Sequence, residues 1–185
     1  MPLSPAADRE PIQTRAIEVS SYRRTDGQWD VEGNLTDTSA YAFDNEYRGT
    51  IEPGVPIHDM WIRLTLDETV TITEVDAVMD GTPYAICPGI AAAFQKLEGE
   101  KIGPGWNRKI RDFFGGAKGC IHMVDLLRPI GTIGYKTVKR EAGRRNAVED
   151  EKSSDMPYQV NTCHAMASDS EVVKKRWPHL YTGTP

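Results

Sequence analysis

The side chains best able to do chemistry in this sequence are the sulfur and imidazole donors. All of them stand at junctions between stretches of different character. His58-Asp59 precedes an alternating apolar run, and Cys87-Pro88 opens an alanine-rich segment. Cys120-Ile121-His122 follows the glycine-rich Gly115-Gly116-Ala117-Lys118-Gly119, and Cys163-His164 lies near the C-terminus. A thiolate at a helix start is favoured by the unpaired amides and the helix dipole, and Cys87 and Cys120 are both expected there. Two thiols, an imidazole and a carboxylate form the ligand set of a tetrahedral zinc site, or of an iron site with an open position. The sequence therefore predicts a mononuclear centre of Asp59 or His58 with Cys87, Cys120 and His122. Zinc is expected first and iron second. Asp59 serves as general base if it is not a ligand. Cys163 and His164 are further candidates on a separate segment.

Other chemistries are poorly served. The glycine-rich run lacks Walker spacing and a preceding strand, which argues against a phosphate loop. A Cys120/His122 nucleophile–base pair works only if Cys120 lies before the first helical turn, because residues two apart on a helix diverge. The chain has three cysteines, an odd number that does not suggest a disulfide framework.

The elements that must position these groups follow from periodicity. Residues 14–24 and 29–38 read as a hairpin around Asp26-Gly27, and residues 60–66 and 69–79 as a second around Asp67-Glu68. Residues 39–57 read as a loop or poorly regular strand. Helical spacing then takes over at 88–97, 104–114 and about 120–140. Sheet first and helices second predicts an α+β fold, with an antiparallel sheet of two hairpins and helices packed on one face. The expected organisation is a flexible N-terminus over 1–13, a core domain over 14–140, a charged linker over 141–157 and a C-terminal segment over 158–185 that docks on the core.

The 185 residues carry 22 basic and 27 acidic side chains, a net charge of −5. That balance argues against a nucleic-acid partner. No apolar run approaches the roughly 18 residues that span a bilayer, so no membrane partner is expected, and the reading is a cytoplasmic protein with a small-molecule substrate.

Five stretches together resemble a bacterial family known as domain of unknown function 2889: His58-Asp59-Met60-Trp61-Ile62-Arg63-Leu64-Thr65, Cys87-Pro88-Gly89-Ile90-Ala91, Ile102-Gly103-Pro104-Gly105-Trp106, Gly119-Cys120-Ile121-His122-Met123 and Thr162-Cys163-His164-Ala165. That resemblance implies a small-molecule role in bacterial catabolism. The element order over 58–140 is also remotely similar to iron–sulfur cluster scaffold proteins. There His58-Asp59 stands where the scaffold has Cys-Gly-Asp, Cys87 follows the hairpin, and Cys120-Ile121-His122 stands near the scaffold's His-Cys. This implies an iron–sulfur or sulfur-carrier scaffold as the alternative to a metal-dependent hydrolase, hydratase or lyase. A structural zinc interaction module is the third reading.

Overall fold

A computed structural model describes residues 3–146, 157 and 159–184. Four strands form one antiparallel sheet in the order β1-β2-β5-β6: β1 Gln13–Arg23, β2 Trp29–Ser39, β5 Pro56–Leu66 and β6 Ile72–Gly81. The two expected hairpins are β1–β2 and β5–β6. A small hairpin, β3 Phe43–Asn45 with β4 Gly49–Ile51, occupies the stretch expected to be irregular. Four-stranded continuity across the hairpins comes from β2 pairing with β5, which sets Leu35 opposite Met60 and Asp37 opposite His58.

Local chemistry explains both turns. Gly27 takes a φ of 89°, which costs glycine little, and Arg24 N–H donates to the Gln28 carbonyl at 2.9 Å. In the second turn the Asp67 carboxylate accepts from the amides of Thr69 and Thr71, each at 2.8 Å. Alternation in the sequence suggests that β6 begins at residue 69, but it begins at Ile72. The intervening residues belong to the turn, where Val70 sits at φ 67°, an uncommon conformation for a β-branched residue. Its side chain is fully buried, so core packing holds it there.

Each long strand presents one face to the core. Trp29, Val31 and Leu35 from β2 and Met60, Ile62, Leu64 and Leu66 from β5 are buried. They pack with Met123, Leu126, Leu127, Ile130 and Val138 of a long helix. Helix α1 is Trp106–Phe114 and helix α2 is Ile121–Asn146. Residues 87–97 wind as a 3-10 segment, Cys87–Leu97, which aligns Phe94 and Leu97, three residues apart, toward the core. Phe94 stacks on Phe114 of α1 with ring centroids 4.5 Å apart.

Glycines set how closely α2 approaches the sheet and α1. A Cβ at Gly33 on β2 would meet Ile130 Cδ1 at 2.7 Å, and one at Gly131 would meet Trp106 Nε1 at 2.3 Å. The Trp106 indole donates to the Leu127 carbonyl at 3.0 Å, which fixes the ring against the helix. The lack of a side chain at Gly131 is therefore a packing requirement.

By internal contacts the chain divides into one unit over Met1–Arg144 and another over Arg145–Pro185. The second unit contains two short 3-10 turns and α3, Glu171–Arg176, whose first turn is capped by Ser170 Oγ accepting from Val173 N–H at 3.2 Å. Most of the expected linker over 141–157 lies outside the described residues, while residues 141–146 continue α2. Among the described residues no helix is long and apolar enough to cross a membrane.

Candidate metal centre

The site grows from the sheet's register. Arg15 on β1 pairs with Asp37 on β2, and Asp37 pairs with His58 on β5. Directly opposed residues share a face, so these three side chains form a row on the face that carries Leu35 and Met60. Irregularities in the ladders fall between Asp37 and Thr38 and between Asp59 and Met60, flanking the row. Such bulges commonly re-aim side chains next to functional sites. Helix α2 then delivers His122 in its first turn. The imidazoles of His58 and His122 stack with centroids 3.6 Å apart.

Asp37 is the centre of the arrangement. Its carboxylate is 1% exposed. Arg15 holds it with a two-pronged grip, Nε on Oδ1 at 2.7 Å and Nη2 on Oδ2 at 2.8 Å. The third guanidinium nitrogen, Nη1, donates to Asp125 Oδ2 of α2 at 2.7 Å. One arginine therefore ties β1, β2 and α2 together beside the two imidazoles. Asp37 Oδ2 lies 3.0 Å from His58 Nδ1 and 3.6 Å from His122 Nε2. One donor atom from each of Asp37, His58 and His122 falls within 4.8 Å of the others.

These separations suit a shared cation. A tetrahedral ion with bonds of about 2.0–2.1 Å to nitrogen and oxygen spaces its donors about 3.3 Å apart. The two Asp37–imidazole distances bracket that value. Two histidines and one carboxylate are a ligand set used by zinc and by non-haem iron, and they leave a coordination position open.

The electrostatics are consistent with this. Burial alone would push the Asp37 carboxyl up. The Arg15 guanidinium outweighs it and, with the two imidazoles, holds the carboxyl below its ordinary value. Burial pushes the His58 imidazole below its ordinary value, with Arg15 and Arg48 adding to the effect and Asp37 opposing it. His122 is lowered first by burial and then by His58 and Arg15, against Asp37 and Asp125. Both rings thus favour the neutral form, which is the form that binds metal.

Of the residues singled out from sequence, His58 and His122 come together here. Cys120 precedes α2 directly, its carbonyl accepting the first helical bond from Val124 N–H at 2.9 Å. Its Sγ lies 3.7 Å from His122 Nδ1, on the ring edge away from Asp37. Cys87 begins the 3-10 segment and is not in the Asp37–His58–His122 group. The Asp59 carboxylate accepts from Asn34 Nδ2 at 2.8 Å, on the opposite face of the sheet from its neighbour His58. Cys163 and His164 belong to the second unit, where Cys163 is exposed and His164 opens a 3-10 turn.

Asp37 and Arg15 escaped the sequence reading, although a signal for Asp37 exists. Trp29, Val31, Gly33 and Leu35 occupy successive inward positions of β2, and Asp37 is the next one. A carboxylate at an inward position needs a partner, because isolated buried charge is costly.

Comparison with curated proteins returns no match, and comparison with solved structures returns none. A sequence family described as protein of unknown function (DUF2889) matches residues 13–136. The match takes in the four-stranded sheet, α1 and the α2 segment that carries His122. It contains Arg15, Asp37, His58, Cys120 and His122, and the chain belongs to that family.

Proposed function

We propose that this protein binds a single divalent metal ion, zinc or iron, through Asp37, His58 and His122 and uses it on a small organic substrate. The observation that carries the reading is the convergence of the two imidazoles on one buried carboxylate oxygen, at 3.0 and 3.6 Å. Three protein ligands and an open position are the pattern of catalytic rather than structural sites. The bound ion would supply Lewis acidity at that position. Arg15 keeps Asp37 ionised and oriented. Hydrolysis, hydration and carbon–carbon cleavage are the reaction classes this chemistry serves.

Elemental analysis of the purified protein tests the reading, backed by titration of the metal-free protein with zinc and, anaerobically, with iron(II). About one equivalent of metal is expected, lost in His58→Ala and in His122→Ala. Failure to take up either metal, or retention in both variants, refutes it. A brown protein carrying inorganic sulfide would instead support the cluster-scaffold alternative. A fourth protein ligand closing the coordination shell would support the structural zinc module.

A second reading rests on Cys120. Its Sγ lies 3.7 Å from one ring nitrogen of His122 and Asp37 Oδ2 lies 3.6 Å from the other, and Cys120 occupies the position before the first turn that such a pair requires. This is the order of a thiol nucleophile, its base and the carboxylate that orients the base. On that reading metal-free protein alkylates rapidly with iodoacetamide at Cys120, and His122→Ala slows the reaction.

A further inference from the structure

We infer that the open position beside Asp37, His58 and His122 takes a small carboxylate anion. The inference rests on the metal reading above and concerns what the loaded site recruits.

The argument is one of charge. The two imidazoles are neutral ligands. Asp37 and Asp125 carry the carboxylates near the site, and Arg15 bonds to both of them. A second guanidinium stands close by. Arg48 Nη1 donates to the Pro56 carbonyl at 2.7 Å and the Ile57 carbonyl at 3.4 Å, the two residues leading into His58. Among the described residues no carboxylate pairs with Arg48, and its charge reaches the His58 ring. Two guanidinium groups thus offset two carboxylates, and the protein leaves the charge of a divalent ion uncompensated.

The helix adds to the same field. His122 lies in the first turn of a 26-residue helix with no acidic residue in that turn. The residue before that helix is Cys120, not the serine, aspartate or asparagine that usually caps such an end. The positive end of the α2 dipole therefore lies beside the site with no acidic residue of its own first turn to offset it. Asp37 is buried, so these interactions are less screened than surface ones.

A neutral oxygen donor would leave that excess charge in place, whereas an anionic one relieves it. Arg48 commits Nη1 to carbonyls and retains its other donors, and a guanidinium fork matches the two oxygens of a carboxylate. A carboxylate with one oxygen toward the ion and the other toward Arg48 satisfies both groups.

Cobalt(II) is a spectroscopically visible probe for this. Cobalt-loaded protein is titrated with acetate and, separately, with acetamide, its neutral counterpart of the same shape. Acetate is expected to change the visible d–d spectrum and to bind at least about tenfold more tightly than acetamide. Arg48→Ala is expected to weaken acetate about threefold or more while leaving cobalt uptake at one equivalent. Cobalt uptake without a response to acetate overturns the inference and leaves the metal centre standing. So does equal binding of acetamide, tighter binding of methylphosphonate than of acetate, or an Arg48→Ala variant that binds acetate normally. Protein that takes up no cobalt, zinc or iron removes the metal reading and this inference together.

Discussion

Replacing Arg15 with methionine keeps most of the aliphatic stem on β1 but strips the buried Asp37 carboxylate of its two charge-assisted bonds. Removing one partner from a fully buried pair costs about 3–5 kcal/mol. Arg15 is 38% exposed, so solvent already screens part of the interaction. The expected loss for Arg15→Met at pH 7 is therefore about 2–3 kcal/mol. Its pH dependence follows from the direction of the Asp37 shift. In the native protein the carboxyl is held below its unfolded value of about 3.9. Its contribution is then fully present above pH of about 4 and is lost as pH falls through the folded value. In the variant burial acts without the guanidinium, so the carboxyl rises above the unfolded value and the sign reverses. The gap between the two proteins should be at its full size at pH 7 and should narrow as pH falls, first through the variant's raised value and then through the native one below about 4. Urea denaturation followed by the fluorescence of Trp29 and Trp106, both buried in the first unit, measures it. A gap below about 0.5 kcal/mol at pH 7, or one that stays constant across the range, would refute the reasoning. Arg15→Lys, which keeps the charge and loses the fork, should fall between the two.

Gly131→Ala should destabilise by about 1–3 kcal/mol, because the new methyl meets the Trp106 indole. A Trp106→Leu background should shrink that cost, as a double-mutant cycle would read. Both imidazoles have folded values below the unfolded value of about 6.5, so their contribution is complete above that pH and is lost as pH falls below it. A histidine NMR titration should find His58 and His122 titrating below the ordinary imidazole value, and metal affinity should weaken over the same acid range. Asp59→Ala and Cys87→Ala should leave metal uptake within about threefold of the parent protein, since neither residue belongs to the Asp37–His58–His122 group. Loss of metal in either variant would show that the ligand set extends beyond these three residues.

The two long hairpins were legible because alternation and turn chemistry agree, Asp26-Gly27 in one and Asp67 in the other. Apolar spacing and glycine boundaries pointed to helices over 104–114 and about 120–140; they form at 106–114 and 121–146, the second running on into residues expected as charged linker. The residues at 87–97 have the apolar spacing of an α-helix, yet they wind as a 3-10 segment, a distinction that periodicity over three turns does not resolve. The site was only half visible. His58 and His122 stand out because histidines are few and both precede apolar periodic runs, although β5 begins at Pro56 and already includes His58. Asp37 and Arg15 lie inside strands and look like ordinary charges in polar positions. Their importance comes from register, since only the pairing of β1 with β2 and β2 with β5 sets Arg15, Asp37 and His58 in one row. The same alternation separates His58 from Asp59, which adjoins it in sequence and faces the other side of the sheet.

That row of Arg15, Asp37 and His58 has a consequence for how the chain tolerates change. Each of its members comes from a different strand, and side chains alternate faces with every residue. A single deletion within β1, β2 or β5 would turn one member of the row to the far side while barely altering composition or length. The centre can form only when three strands are aligned to the residue and α2 has docked on them. Metal uptake would therefore serve as a readout of strand alignment, silent in any misregistered sheet however compact, and insertions in this chain should survive at the turns and fail within the three strands.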